Sequence, residues 1–113
     1  MQPAIVARGS VGGPWFTLPT DNWRHRDFQR LCDLLAVGGC FLYRMRSPTS
    51  LLYVGISRTP ADRWSTHRRK KIWWPDVEKI EYELWPSEYA ALCAENHAIR
   101  TEWPTYNIRV AAA

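Results

Sequence analysis

Cys40-Phe41-Leu42-Tyr43-Arg44-Met45-Arg46, then Ser47-Pro48-Thr49-Ser50, then Leu51-Leu52-Tyr53-Val54-Gly55-Ile56: two runs rich in aromatic and branched residues flank a four-residue polar turn. This is the pattern of an antiparallel β-hairpin. Tyr43 and Tyr53 fall ten residues apart across the turn, so the two strands can bring their phenols close. A cross-strand packing pair is the commoner use of such tyrosines. Gly55 follows Tyr53 by two and lets a backbone or a ligand approach.

Downstream, Thr59-Pro60-Ala61-Asp62 offers a capping residue, a proline at the first helical position and an early acid, which predicts a helix over 60–71. Pro75 closes the next loop. Ile80, Tyr82 and Leu84 alternate with Glu81 and Glu83, the pattern of a strand over 77–84 with one wet face. Pro86-Ser87 introduces a helix over 87–102, stopped ahead of Pro104.

Upstream, Gly9, Gly12, Gly13, Pro14 and Pro19 predict an irregular lead-in, with Trp15 and Phe16 as an anchor. Thr20-Asp21-Asn22 then caps an accessory helix running to about Val37, which Gly38-Gly39 stops. The order helix, β-hairpin, helix, strand, helix predicts an α+β fold, a small sandwich with a central three-stranded antiparallel sheet flanked by helices. Residues 1–39 form an N-terminal extension, 40–108 the domain proper and 109–113 a tail.

The whole chain has 113 residues, a hydrophobic fraction of 46% and a charged fraction of 23%. One core fits this length without staples, and the composition disfavours disorder, collagen-like repeats and coiled coil. No apolar run reaches the ~20 residues of a membrane span, and Met1 to Ser10 lack the features of a signal peptide. The expectation is a soluble, cytoplasmic protein with no membrane partner. Three cysteines without a C-x-x-C pair offer neither a disulfide framework nor a zinc knuckle. Cys93 and His97 share a helix face, but no further ligands stand nearby in sequence.

Charge is unevenly placed. Residues 1–57 carry net +3, residues 58–71 net +5 and residues 72–113 net −4. The basic stretch contains Arg58 and ends in Arg68-Arg69-Lys70-Lys71, the footprint of a phosphate-backbone binder or, more plainly, a solvated helix face. Trp73 and Trp74 follow it, as base-stacking rings or as core.

Four further residues could carry chemistry. Arg63 and His67 are one helical turn apart, a bidentate phosphate ligand beside a proton carrier. Glu95 lies among Ala91, Leu92, Ala98 and Ile99, on or beside the stripe that should face the core. A carboxylate there needs a cation, either Arg63 or a divalent metal. Asn107, in Trp103-Pro104-Thr105-Tyr106-Asn107, is a turn former or a brace for the hairpin.

Taken in order, F-L-Y ending at Tyr43, Y-V-G from Tyr53, R-W-S-T-H from Arg63 to His67, A-E-N-H-A-I-R with Glu95, and P-T-Y-N ending at Asn107 resemble the GIY-YIG nuclease family over residues 40–108. Ile72-Trp73-Trp74-Pro75 is similar to its compact single-domain members. One departure is Phe41-Leu42-Tyr43, where the family motif has Gly-Ile-Tyr; the tyrosine is kept, and substrate fit rather than chemistry is affected. The resemblance implies a metal-dependent endonuclease acting on DNA, with RNA left open. It implies that Tyr43 or Tyr53 orients or deprotonates water, that Arg63 stabilises the phosphorane-like transition state, and that His67 assists proton transfer. Glu95 would ligate a single Mg²⁺ or Mn²⁺, and Asn107 would support the site. One carboxylate makes a thin metal site, so the ion should bind weakly without nucleic acid. The alternative is a non-catalytic nucleic-acid-binding module using Arg58, Arg68, Arg69, Lys70 and Lys71 for phosphates and Trp73 or Trp74 for bases. A third is a protein-interaction domain built on exposed tryptophans. Without a separate reader domain, target choice would come from the N-terminal extension, loops, a homodimer or a partner protein.

Overall fold

The structure, a computed structural model, describes residues 4–10 and 38–107. A four-stranded sheet has the order β1-β4-β2-β3, formed by β1 (Ala4–Ser10), β2 (Cys40–Arg46), β3 (Leu51–Ser57) and β4 (Lys79–Trp85). Two helices, α1 (Pro60–Lys70) and α2 (Glu88–Glu102), and a 3-10 turn at Trp74–Asp76 complete the described chain. The predicted accessory helix and the Trp15-Phe16 anchor lie outside the described residues, as does the 109–113 tail.

The three-stranded antiparallel sheet appears as expected, β2 pairing with β3 on one side and with β4 on the other. A fourth strand is added within the stretch read as an irregular lead-in. Ala4–Ser10 pairs parallel with β4, Ile5 opposite Ile80, and its register shifts between Ala7 and Gly9. The glycine that argued for irregularity sits at that shift, which a bulged strand tolerates.

β2 is central and buried on both faces, which explains its almost unbroken apolar run. Phe41, Tyr43 and Met45 enter one core with Trp64 of α1, Trp73, Val77, Ile80 and Tyr82. Leu42 joins Leu51, Val54 and Ala98 of α2 in a second core on the opposite face. The wet face of β4 is only half exposed, because Glu81 pairs with Arg46 and Glu83 with Arg44 at 3.0 Å.

Arg44, 7% exposed, also forks onto the Glu102 carboxylate at 2.9 and 2.8 Å, tying the end of α2 to the sheet. α2 starts at Ser87, whose hydroxyl accepts the Ala90 N–H at 3.0 Å. It presents small Ala91 and Ala98 to the sheet, while Leu92, expected on the inner stripe, is 46% exposed. Trp103 then takes a left-handed conformation, φ 53° and ψ 57°, and turns the chain back along the outer edge of β3. There the Thr105 N–H donates to Leu51 O at 3.1 Å and the Tyr106 N–H to Leu52 O at 2.9 Å. An edge strand that would otherwise offer free backbone groups is thereby covered.

Candidate active site

The site forms where β2, β3, α1 and α2 converge. Tyr43, fully buried, faces Gly55 across the β2–β3 ladder. A Cβ at Gly55 would stand 2.5 Å from Tyr43 Oη and 2.9 Å from Tyr53 Cε2. Only glycine leaves that volume to the two phenol rings, whose centroids are 6.3 Å apart. Tyr53 is half-buried on β3, just beyond the point where Leu52 is skipped in the pairing with β2.

α1 carries its chemistry on the turn spacing that the sequence predicted. His67 is fully buried, and its Nε2 lies 2.7 Å from Tyr43 Oη. Its Nδ1 has no hydrogen-bond partner among the described residues. Burial pushes the His67 pKa down to about 4, and the charges of Arg63 and Lys71 act in the same direction. The imidazole is therefore neutral at pH 7. Arg63, exposed on the same helix, stands close enough to both phenols, Tyr43 and Tyr53, for them to hold its pKa up. Its positive charge favours the ionised form of Tyr43. Burial outweighs it, holding Tyr43 well above the ordinary phenol range, with Tyr53 adding to the rise and Arg63 opposing it.

Glu95, half-buried on α2, stands near enough for its charge to act on Tyr43. Loss of water raises its carboxyl pKa, opposed by the Arg63 charge and by a hydrogen bond from the Ile56 backbone. Arg63 is close enough for its charge to be felt, and Glu95 in turn contributes to the rise at Tyr43. Among the described residues no group of three His, Cys, Asp or Glu side chains could hold a metal ion, so the Cys93–His97 pair gains no further ligands. Among the described residues gathered here Glu95 brings the carboxylate, and a small hard cation that keeps most of its waters and shares substrate phosphate suits such a donor.

Asn107 braces the hairpin. Its Oδ1 accepts the Val54 N–H and its Nδ2 donates to Val54 O, both at 2.8 Å. One side chain thus fixes the peptide between Tyr53 and Gly55 as a neighbouring strand would.

The expected phosphate ligands divide. Arg68, Arg69, Lys70 and Lys71 are all exposed at the end of α1, whereas Arg58 pairs with Glu88 at 3.4 Å across the surface. Trp73 is 3% exposed and belongs to the core, which corrects its reading as a base-stacking ring. Trp74 is half-buried against the same core. Sequence reasoning missed Tyr106, which stacks on Trp73 at 6.3 Å and is 45% exposed. Its place beside Asn107 was the available signal. No helix among the described residues is long and apolar enough to cross a membrane.

Comparison with known proteins bears on this arrangement. A model of the GIY-YIG catalytic domain matches residues 39–107. The UvrABC system protein C of Prochlorococcus marinus is 31% identical over 87 residues, which is 70% of this chain but 13% of that relative. The GIY-YIG N-terminal endonuclease domain of UvrC from Thermotoga maritima, solved with its catalytic divalent cation magnesium, has a TM-score of 0.55 and 18% identity. The match covers 74% of this chain and 100% of that one. A point mutant of the same domain, bound to its catalytic divalent cation, has a TM-score of 0.56 at 18% identity, covering 75% and 100%. At such identity the likeness is one of fold.

Proposed function

Because the chain belongs to the GIY-YIG family, residues 39–107 matching its catalytic domain, we propose that it is a metal-dependent endonuclease that hydrolyses phosphodiester bonds of DNA with one divalent cation at Glu95. The observation that carries this reading is the meeting of Glu95 and Arg63 with Tyr43, Tyr53 and His67. A structural salt bridge would need only the first two.

Glu95 would hold Mg²⁺ or Mn²⁺, and the ion, when bound, neutralises charge on the phosphate and the departing oxygen. Arg63, exposed beside the two phenols, would turn its fork toward a non-bridging oxygen that gains charge. With both Tyr43 and His67 neutral, a phenolate need never form. Tyr43 Oη is closed to solvent in the free protein, so a water must be brought to it with the substrate; the phenol then takes that water's proton while passing its own to His67 Nε2, 2.7 Å away. This route uses the Nδ1–H tautomer of His67. Tyr53 orients the water from the rim, and Asn107 holds the strand that carries Tyr53. Arg68, Arg69, Lys70 and Lys71 attract the phosphate backbone from the end of α1. Such a substrate places the protein inside the cell, and target choice rests with regions outside the site, a second copy or a partner protein.

Relaxation of supercoiled plasmid tests the reading. Nicking is expected with Mg²⁺ or Mn²⁺ and none with EDTA. DNA binding without nicking under either ion would replace the enzyme with a nucleic-acid-binding module, and cutting of RNA alone would overturn the choice of substrate.

A further inference from the structure

We propose that the cleft beside Tyr106 takes one unstacked nucleobase of the bound DNA, a base carrying an exocyclic amine, and so helps to set where the chain is cut; this rests on the nuclease reading above. Three rings run outward from the site as a stack. Tyr53 lies on Trp73 at 5.1 Å and 20°, and Trp73 on Tyr106 at 6.3 Å and 30°. Trp73 is closed in, at 3% exposure, while Tyr106 is 45% exposed. The stack therefore ends on a ring with surface to spare, and a base is the natural continuation of it.

That ring is fixed in advance. The Tyr106 N–H is bonded to Leu52 O at 2.9 Å, and its neighbours Thr105 and Asn107 are tied to Leu51 and Val54. A platform already ordered loses little freedom on binding.

Tyr106 lines an open cleft of about 870 Å³ together with Leu52, Ser50, Asp76 and Glu78, and no Lys or Arg lines it. An aromatic and an aliphatic wall suit the faces of a base. The two carboxylates accept hydrogen bonds from exocyclic amino groups, as on adenine, cytosine and guanine, each of which brings two N–H donors there, whereas thymine brings only its ring N3–H. The same carboxylates repel phosphate, so the backbone stays on the side of the stack where Arg63 and the basic end of α1 lie. A base reaching Tyr106 would belong to a nucleotide close to the scissile phosphate, two ring steps from Tyr53.

The test uses the full chain without divalent metal, so that nothing is cut, and a duplex carrying one bulged 2-aminopurine beside a fully paired control. Expected are quenching of the bulged base and tighter binding of the bulged duplex. Tyr106→Ala should remove the quenching and raise its Kd by roughly 5- to 150-fold, and Tyr106→Phe should restore both. Asp76→Asn with Glu78→Gln should narrow the preference for an amine-bearing base over a bulged thymine. Melting curves monitor the fold; should Tyr106→Ala unfold, Tyr106→Leu keeps an apolar side chain against Trp73 without a π-face and should behave as expected for the alanine. Quenching and affinity unchanged in the folded variant would overturn the proposal. A wild type that quenches the base yet never nicks with Mg²⁺ would leave the base site standing and remove the nuclease reading. Nicking by wild type with no quenching would do the reverse.

Discussion

His67 should make the protein acid-sensitive in a defined window. Its folded pKa is about 4 against an ordinary 6.5, because a fully buried ring cannot easily carry charge beside Arg63 and Lys71. Between these values the unfolded chain binds the extra proton, so stability supplied by the neutral ring is complete above about pH 6.5 and is lost as the pH falls toward 4. The shift corresponds to about 3 kcal/mol, at ~1.4 kcal/mol per pH unit. Glu95 is shifted upward and works in the opposite sense, since its protonation favours the folded chain. The His67 contribution is therefore read as a difference: urea unfolding of wild type and His67→Gln at pH 4, 5, 6 and 7. Glutamine keeps a polar partner near Tyr43 and does not titrate. Wild type should lose about 3 kcal/mol more than the variant between pH 7 and 4. Parallel pH profiles, or an NMR titration that places His67 near 6.5, would refute the reasoning.

Three further outcomes follow from the packing. Gly55→Ala puts a Cβ 2.5 Å from Tyr43 Oη and 2.6 Å from its Cζ; it should cost about 1–3 kcal/mol in urea unfolding and slow plasmid nicking at least ~10-fold, because the Tyr43 ring must move off His67. Asn107→Ala removes both 2.8 Å bonds to Val54 and should cost about 2 kcal/mol, with faster hydrogen exchange of the Val54 amide. Arg44→Met leaves Glu83 and Glu102 without their fork. It should cost about 2–3 kcal/mol in urea unfolding, less than for an enclosed pair, since those carboxylates keep 20% and 32% exposure.

Local pattern made the hairpin, both described helices and β4 legible, because each buries residues at its own period and carries its own stop signals. β1 was not legible. Its parallel partner lies some seventy residues away in sequence, and a glycine at a bulge reads like a glycine in a loop. The Tyr43–His67 bond could be anticipated only as proximity, since it joins residues 24 positions apart through a core that the sequence does not draw. The state of Tyr43 was hidden for a related reason: Arg63 is visible in the sequence, whereas the burial that outweighs its charge is a property of packing. Trp73 and Tyr106 show the same ambiguity, for an aromatic in a connecting segment can close a core or face a ligand, and only burial tells which. The Arg44–Glu102 fork was equally out of reach, since it joins residues 58 positions apart that only the docking of α2 brings together.

The central claim is that Glu95 supplies the cation's one protein ligand. Mg²⁺-dependent nicking of supercoiled plasmid by Glu95→Gln, compared with wild type at equal fold integrity and DNA affinity, tests it most directly. The account expects nicking to fall by roughly 10²-fold or more, with no recovery at higher Mg²⁺. Nicking within severalfold of wild type at the same Mg²⁺ concentration would contradict it.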